Sequence, residues 1–430
     1  MKKVWSFLAI ALIACTVFAF AAGAADGVVF VSDGGTGDGS SASAPVGTLE
    51  KAYALLPNGG TVVVCGPITV ISIQCPAHSG TMNITSVYDG TDYRRNGAKF
   101  SFGDKTANSL ALGGDTVFQD VLFEVTNNCA RTITCNGNDV VFGDGVECLR
   151  ADSSYQWLGI TLGSFSSDYK ICDDAQAGSL TINGGSWQII RFGNRGSEPT
   201  TVGDVNVTIN GGSFAGNIIA ATSASIEGNV NLTINGGEFK SADGSALSLT
   251  PGSSSQKTQI SGDVNLTING GTFKNVNITV SRSQGAGGVR GNATVNINGG
   301  EFADYTMVGL GAYDGNAVLN LDASKFSDIS FVNKIGFTFN QIGELVTTAP
   351  VTTEEPVVTT EESTEAVVTT KATEASTVPT EDTSAVEPAE TTAPVASSGE
   401  NGVSVGVIVG IVVVVVIAAA VVVVLVKKKK

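Results

Sequence analysis

Asn206-Thr208-Asn210, Asn231-Thr233-Asn235, Asn265-Thr267-Asn269 and Thr294-Asn296-Asn298 place amides and hydroxyls two residues apart in successive segments of the chain. An amide and a hydroxyl each donate and accept hydrogen bonds and carry no charge. Stacked side by side, these residues make a flat lattice of neutral hydrogen-bonding groups. Two readings are open. The lattice contacts glycans, with Asn206, Thr208, Asn231, Thr233, Asn265, Thr267, Thr294 and Asn296 as ligand-binding candidates. Alternatively it is a soluble sheet face whose amides bond to one another. Asn83, Asn206, Asn231, Asn265, Asn277 and Asn292 also open N-x-Thr sequons, which matter only in a glycosylating host.

The rest of the chemical inventory is thin. The one histidine, His78, sits in a polar segment and has no partner for a His-pair metal site, and no other metal-ligand set is read. Gly34-Gly35-Thr36-Gly37-Asp38-Gly39 resembles a calcium-binding nonapeptide. Its aspartate falls one position early and the phrase occurs once, which fits a glycine-rich loop better. Beyond Cys15 there are six cysteines, at 65, 75, 129, 135, 148 and 172, and no pair has CxxC spacing. Export permits disulfides; buried free thiols packing as small apolar groups are the other reading. The net charge is −16, and residues 26–344 carry −12 of it against −10 in 345–400 and +6 at the two termini. No basic patch is available for a phosphate backbone, so nucleic acid is not an expected partner.

A repeated phrase must position these groups. Leu180-Thr-Ile-Asn-Gly-Gly-Ser-Trp187 returns as 207–214, 232–239, 266–273 and 295–302, with a decayed copy at Leu319-Asn-Leu-Asp-Ala-Ser-Lys-Phe326. The Asn or Asp of each phrase recurs at steps of 27, 25, 34, 29 and 24 residues. Within a phrase Val264, Leu266 and Ile268 alternate with Asn265, Thr267 and Asn269, the period-two pattern of a strand with one buried face. Glycine tolerates positive φ, so the Gly-Gly pair lets the chain turn a corner. The aromatic two residues later, such as Phe273, then folds back into the core, and a second strand follows at 275–280. A step this short leaves no room for a crossover helix; it fits one coil of a solenoid, whose apolar row is buried only by stacking on its neighbours. Weaker copies precede it at 61–65, 68–73, 115–125 and 139–146. Roughly 11 coils stacked at the strand spacing give a rod ~50 Å long. Cys148 and Cys172 are 24 residues apart, so if they lie one coil apart their side chains stack as neighbours and can form a disulfide.

Other segments carry no repeat. Residues 1–24 read as a secretory signal: Lys2 and Lys3, an apolar run, then Ala22-Gly23-Ala24. Leu12-Ile13-Ala14-Cys15 resembles a lipoprotein cleavage box, but the apolar run continues past Cys15. Residues 25–59 read as a covering strand, a loop and a short helix over 48–56, with Leu49, Ala52, Leu55 and Leu56 on one stripe. From 346 to 402 Thr, Glu, Val, Ala, Ser and Pro dominate and aromatics vanish, a composition expected to form an extended, disordered stalk. The run from Val403 to Val426 has no charge or proline and is followed by Lys427 to Lys430. As a helix it is long enough for a ~30 Å hydrocarbon core, and the lysines read as a cytoplasmic stop-transfer tail. Gly402, Gly406 and Gly410 within reach of that run are read as ordinary membrane glycines rather than a dimerisation motif.

The segment VVFVSDGGTGDGSSASAPVGTLEKAYALLPNGGTVVV (28–64), with the coils after it, resembles the right-handed parallel β-helix proteins of the pectate-lyase-like superfamily over about 320 residues. The resemblance implies an all-β fold of that kind over 60–345. It says little about activity, because the superfamily includes lyases, hydrolases, adhesins and spacers. Its lyases use a basic residue beside carboxylates that hold calcium, and the nearest constellation here is Asp173, Asp174, Arg191 and Arg195. Asp173 and Arg191 are 18 residues apart, shorter than a coil, which argues for loop ion pairs instead. The Gly-His-Gly hydrolase pattern and an Arg-Ile-Lys-like motif are missing. Calcium is therefore the one cofactor the resemblance suggests. The expectation is a single-pass cell-surface protein presenting a binding or adhesion surface toward carbohydrate; a tethered polysaccharide lyase or hydrolase and a non-catalytic envelope spacer are the alternatives.

Overall fold

The computed structural model describes residues 27–346 apart from 104–107, 128–130, 165–176, 195–199, 222–223, 242–245, 254–257, 282–287, 310 and 312. All of them belong to the first of two units, Met1–Thr352. That unit is all-β and built from long stacked parallel sheets, an arrangement consistent with a parallel β-helix. Among the described residues no helix is long and apolar enough to cross a membrane; the run 403–426, like the stalk beyond Val346 and the segment 1–26, lies outside the described residues.

The longest ladder is a 12-stranded sheet that begins at Val28–Val31 and ends at Thr338–Ile342. Five of its strands carry the repeated phrase: Ser179–Ile182, Val205–Ile209, Val230–Ile234, Val264–Ile268 and Ala293–Ile297. Their register is strict. Val205 pairs with Val230, Val230 with Val264 and Val264 with Ala293, while Ile209, Ile234, Ile268 and Ile297 form a second inward row. Each of these side chains is buried, so every coil supplies the floor on which the next one packs.

The Asn-Gly-Gly corner follows each of these strands. Gly237 has φ +106°, and a Cβ on it would lie 3.1 Å from the Gly212 carbonyl oxygen and 3.2 Å from the Phe214 ring. Glycine is required there for backbone and for space. Beyond the corner the phenylalanines turn inward and stack: Phe214 on Phe239 at 4.8 Å, Phe239 on Phe273 at 4.6 Å, Phe273 on Phe302 at 5.0 Å and Phe302 on Phe331 at 4.1 Å. Near-parallel rings at one-coil spacing are what in-register stacking imposes.

The N-terminal coils are built differently. Residues 115–125, which alternate like one strand, form two: Thr116–Gln119 in the long sheet and Leu122–Val125 in a separate four-stranded sheet. Asp120 sits at the corner with φ +52°, a conformation that Asp adopts more readily than most residues. The run 68–73 likewise divides, with Pro67–Thr69 and Ser72–Gln74 in different sheets. The two halves meet at Ser186–Phe192, where the register shifts between Leu158 and Gly159. Trp187, fully buried, fills that junction with its ring 4.7 Å from Phe142 and 6.4 Å from Phe123.

The short helix Leu49–Ala54 starts at Thr48, whose hydroxyl accepts from the Lys51 N–H at 3.2 Å. It buries Leu49, Ala52 and Tyr53, with Leu56 just beyond, while Leu55 is 53% exposed. The apolar stripe is thus Leu49-Ala52-Tyr53-Leu56, the i, i+3, i+4, i+7 pattern. Leu55 drops out because the helix has ended there and the chain is turning.

Phe239→Ala removes the middle of the ring stack and should cost about 3–5 kcal/mol, read as a lower urea midpoint; Phe239→Leu should cost clearly less. Equal midpoints for Phe239→Ala and the parent would contradict this packing.

Candidate functional site

The outward residues of the five repeat strands form three columns. Ser179, Asn206, Asn231, Asn265 and Thr294 are paired in register in one; Thr181, Thr208, Thr233, Thr267 and Asn296 in the next. Asn183, Asn210, Asn235, Asn269 and Asn298 lie at the strand ends and make the third. None of these fifteen side chains is charged. Asn206 is exposed and Thr208, Asn231, Thr233, Asn265, Thr267, Thr294 and Asn296 are partly exposed.

The amides are joined coil to coil. In the third column Asn210 donates to Asn183 at 2.8 Å, Asn235 to Asn210 at 2.7 Å, Asn269 to Asn235 at 2.8 Å and Asn298 to Asn269 at 2.9 Å. In the first column Asn231 donates to Asn206 and Asn265 to Asn231, both at 2.9 Å. In the middle column Asn296 donates to the Thr267 hydroxyl at 3.3 Å, Asn320 to Asn296 at 2.8 Å and Asn340 to Asn320 at 2.9 Å. Each interior amide spends one N–H and one lone pair on its neighbours and keeps one of each for a ligand. The rotamers are fixed before anything binds, which lowers the ordering cost of binding. Self-bonded amides and glycan contact are therefore compatible in one geometry.

Carboxylates border the lattice. Asp204 accepts the Asn229 N–H at 2.8 Å, Asn229 accepts the Asp263 N–H at 2.8 Å, Asp263 accepts the Asn292 N–H at 2.7 Å and Asn292 accepts the Asn316 N–H at 3.1 Å. Asp and Asn alternate here, so ionised groups are kept two coils apart. On the other border Ser213, Glu238, Thr272 and Glu301 are in register, with Lys240 and Lys274 two residues further along their strands.

The other candidates fall elsewhere. Arg191 lies in Ser186–Phe192, paired with Thr161 and Ile219 in a different sheet. Asp173, Asp174 and Arg195 lie outside the described residues. Cys148 is a buried free thiol, and Cys172 and Cys129 lie outside the described residues. Burial pushes the Cys148 thiol up to about 12 and raises Cys75 and Cys135 as well. His78 sits under the N-terminal helix with Nδ1 donating to the Gly80 carbonyl at 2.6 Å and its ring 5.3 Å from Tyr53. Asp38 is held below the ordinary carboxylate range by the Ser40 hydroxyl and N–H, at 2.6 and 3.0 Å. Its Oδ1 thus accepts both bonds of a local turn. Among the described residues no three His, Cys, Asp or Glu side chains gather to hold a metal ion, and no chemistry is routed through calcium.

One charged constellation has no counterpart in the repeat. Three carboxylates surround the Arg94 guanidinium: Asp92 at 2.9 Å, Glu147 at 3.6 Å and Asp120 at 3.7 Å. Arg94 also donates to the Gly145 carbonyl at 2.9 Å. The segment that delivers Arg94 is an excursion between Met82–Thr85 and Lys99–Phe102, containing the hairpin of Val87–Tyr88 with Thr91–Asp92. Its trace in the sequence is length: Met82 and Thr116 are 34 residues apart, Thr116 and Val140 only 24. Tyr88 and Tyr93 of the same excursion meet the outward ring of Phe30 edge-on at 5.7 and 6.2 Å. The guanidinium fills the centre of the cluster, which makes it a clamp across successive coils.

These features define a class: a stacked parallel-sheet protein with a flat, uncharged amide and hydroxyl face. No protein-family model matches the chain, and neither a curated protein nor a solved structure does.

Asn235→Asp places an acceptor against the Asn210 oxygen and should cost about 1–2 kcal/mol, whereas Thr233→Ala should stay within about 0.5 kcal/mol; urea midpoints check both. Arg94→Ala should cost about 1–2 kcal/mol. Bonding to Arg94 lowers the Asp92 pKa, so this stabilisation is present above the ordinary Asp value and lost as pH falls through the lowered one; the variant should show a flatter loss of stability into acid. Iodoacetamide at about pH 8 should modify Cys65 before Cys75, Cys135 and Cys148 in the folded protein, and peptide mass spectrometry reads the order.

Proposed function

We propose that this chain is a membrane-anchored cell-surface protein of the right-handed parallel β-helix, pectate-lyase-like class, and that its coiled unit presents the Asn/Thr face as a binding or adhesion surface for carbohydrate. The observation that carries the reading is the three-column lattice with its pre-formed amide ladders. A sugar offers hydroxyls that donate and accept, and the lattice offers one free donor and one free acceptor at each interior amide, with hydroxyls between. The placement outside a cell rests on the sequence: the signal-like start, the Thr/Glu/Pro-rich segment as a stalk, and the run 403–426 as a single membrane helix with a cytoplasmic lysine tail.

The test uses the full chain in detergent micelles on immobilised polysaccharides, with the triple variant Thr208→Ala/Thr233→Ala/Thr267→Ala beside it. Retention of the parent and a loss of at least about tenfold in the variant, with equal urea midpoints, are expected; tenfold corresponds to about 1.4 kcal/mol. A blank panel would leave the spacer reading, and release of unsaturated or reducing ends from the polymer would turn the reading toward a lyase or hydrolase.

A further inference from the structure

Resting on that carbohydrate reading, we infer that the face takes an extended, uncharged polyhydroxylated chain laid along the stacking direction, and that it rejects polyanions. The first argument is periodicity. Each column repeats an uncharged amide or hydroxyl once per coil, about 4.8 Å apart, from Ser179 to Thr294 in one column and from Asn183 to Asn298 in another. A single sugar reaches one or two rungs. A polymer running across the coils meets the same donor and acceptor again at each rung, and its contacts add as linked binding events.

The second argument is direction. In all three columns each amide N–H points toward the preceding coil. Aligned amides polarise one another in one sense along the stack. A chain with distinct ends therefore meets a face that is itself polar along its length.

The third argument is charge. The lattice carries none, and the rows nearest to it are acidic: Asp204 and Asp263 before the strands, Glu238 and Glu301 after the corner. Lys240 and Lys274 lie two residues beyond that second row. Fixed carboxylates on both borders repel a polyanion at low ionic strength and leave an uncharged chain untouched. The alternating ladder also supplies a conservative way to remove part of the charge: Asn229 and Asn292 already accept a backbone N–H at the equivalent position, so Asp204→Asn and Asp263→Asn keep the acceptor.

The experiment compares laminarin, hydroxyethylcellulose and mannan with polygalacturonate and alginate, using full-length protein in a non-ionic detergent at about 20 mM and about 500 mM NaCl. At least one uncharged polymer should bind, with less than about twofold change between the two salts, and more tightly than its own short oligosaccharides. Polyuronates should bind at least about tenfold more weakly at low salt, and Asp204→Asn/Asp263→Asn should raise their retention without altering that of the uncharged polymer. Polyuronates held as tightly as uncharged chains, and lost in the Thr208→Ala/Thr233→Ala/Thr267→Ala variant, would overturn this inference and leave the carbohydrate reading standing. Equal affinity for short oligomers and polymers would overturn the claim of an extended chain. No retention of any polymer, or retention unchanged in that triple variant, would sink the carbohydrate reading and this inference with it.

Discussion

Every coil of this unit buries its apolar row only against the coils above and below, so like must stack on like. That constraint explains the residues chosen at each level. Inside, β-branched and aliphatic side chains repeat in register from Val205 to Ala293 and from Ile209 to Ile297. Aromatic rings repeat from Phe214 to Phe331, tilted no more than 10° from their neighbours in the stack. Offset stacking of this kind adds to the burial each ring contributes.

The same constraint is harder to satisfy outside, because most polar side chains do not stack well on themselves. Two carboxylates repel, as do two ammonium groups. Amides and hydroxyls are the exception, since each can donate to one neighbour and accept from the other. Asparagine therefore fills the third outward column and the middle of the first, threonine most of the second, and the border row resolves its charges by alternating Asp204, Asn229, Asp263 and Asn292. Where the phrase decays, at Asp322, the ladder of the third column stops: its carboxylate accepts from the Ser324 N–H and hydroxyl instead. The ordered face is thus a direct consequence of the stacking rule applied to uncharged side chains.

Much of this was legible in the chain. The phrase 180–187 and its copies announce strand, corner and inward aromatic, and the outward Asn/Thr positions follow from the alternation alone. Legibility fails where the geometry is non-local. Residues 115–125 read as one strand, but the inward positions Thr116 and Phe118 change phase to Val121, Phe123 and Val125 across the left-handed backbone of Asp120, which divides them between two sheets. Leu55 fits a helical stripe on paper, but the helix ends before it. The Arg94 cluster gathers residues from 92, 120 and 147; each is an ordinary surface charge in its own stretch, and nothing except the excess length of one step marks the excursion that brings them together.

The geometry also bears on what kind of work such a face suits. Bond-breaking needs unlike groups, such as an acid, a base and a charge stabiliser, converging on one point and held there by their surroundings. In-register stacking does the opposite: it spreads one kind of group along a line. The steps between phrases vary from 24 to 34 residues, yet the five strands of the face keep their register throughout, so the variation is absorbed away from the lattice. A surface that stays periodic while its connections change is matched to a ligand that is itself periodic. Among the described residues, unlike groups converge where Asp92, Asp120 and Glu147 surround Arg94, and there they are already paired with the guanidinium and brace the coils. Recognition by repetition, as proposed above, is the kind of work to which such a periodic face is suited.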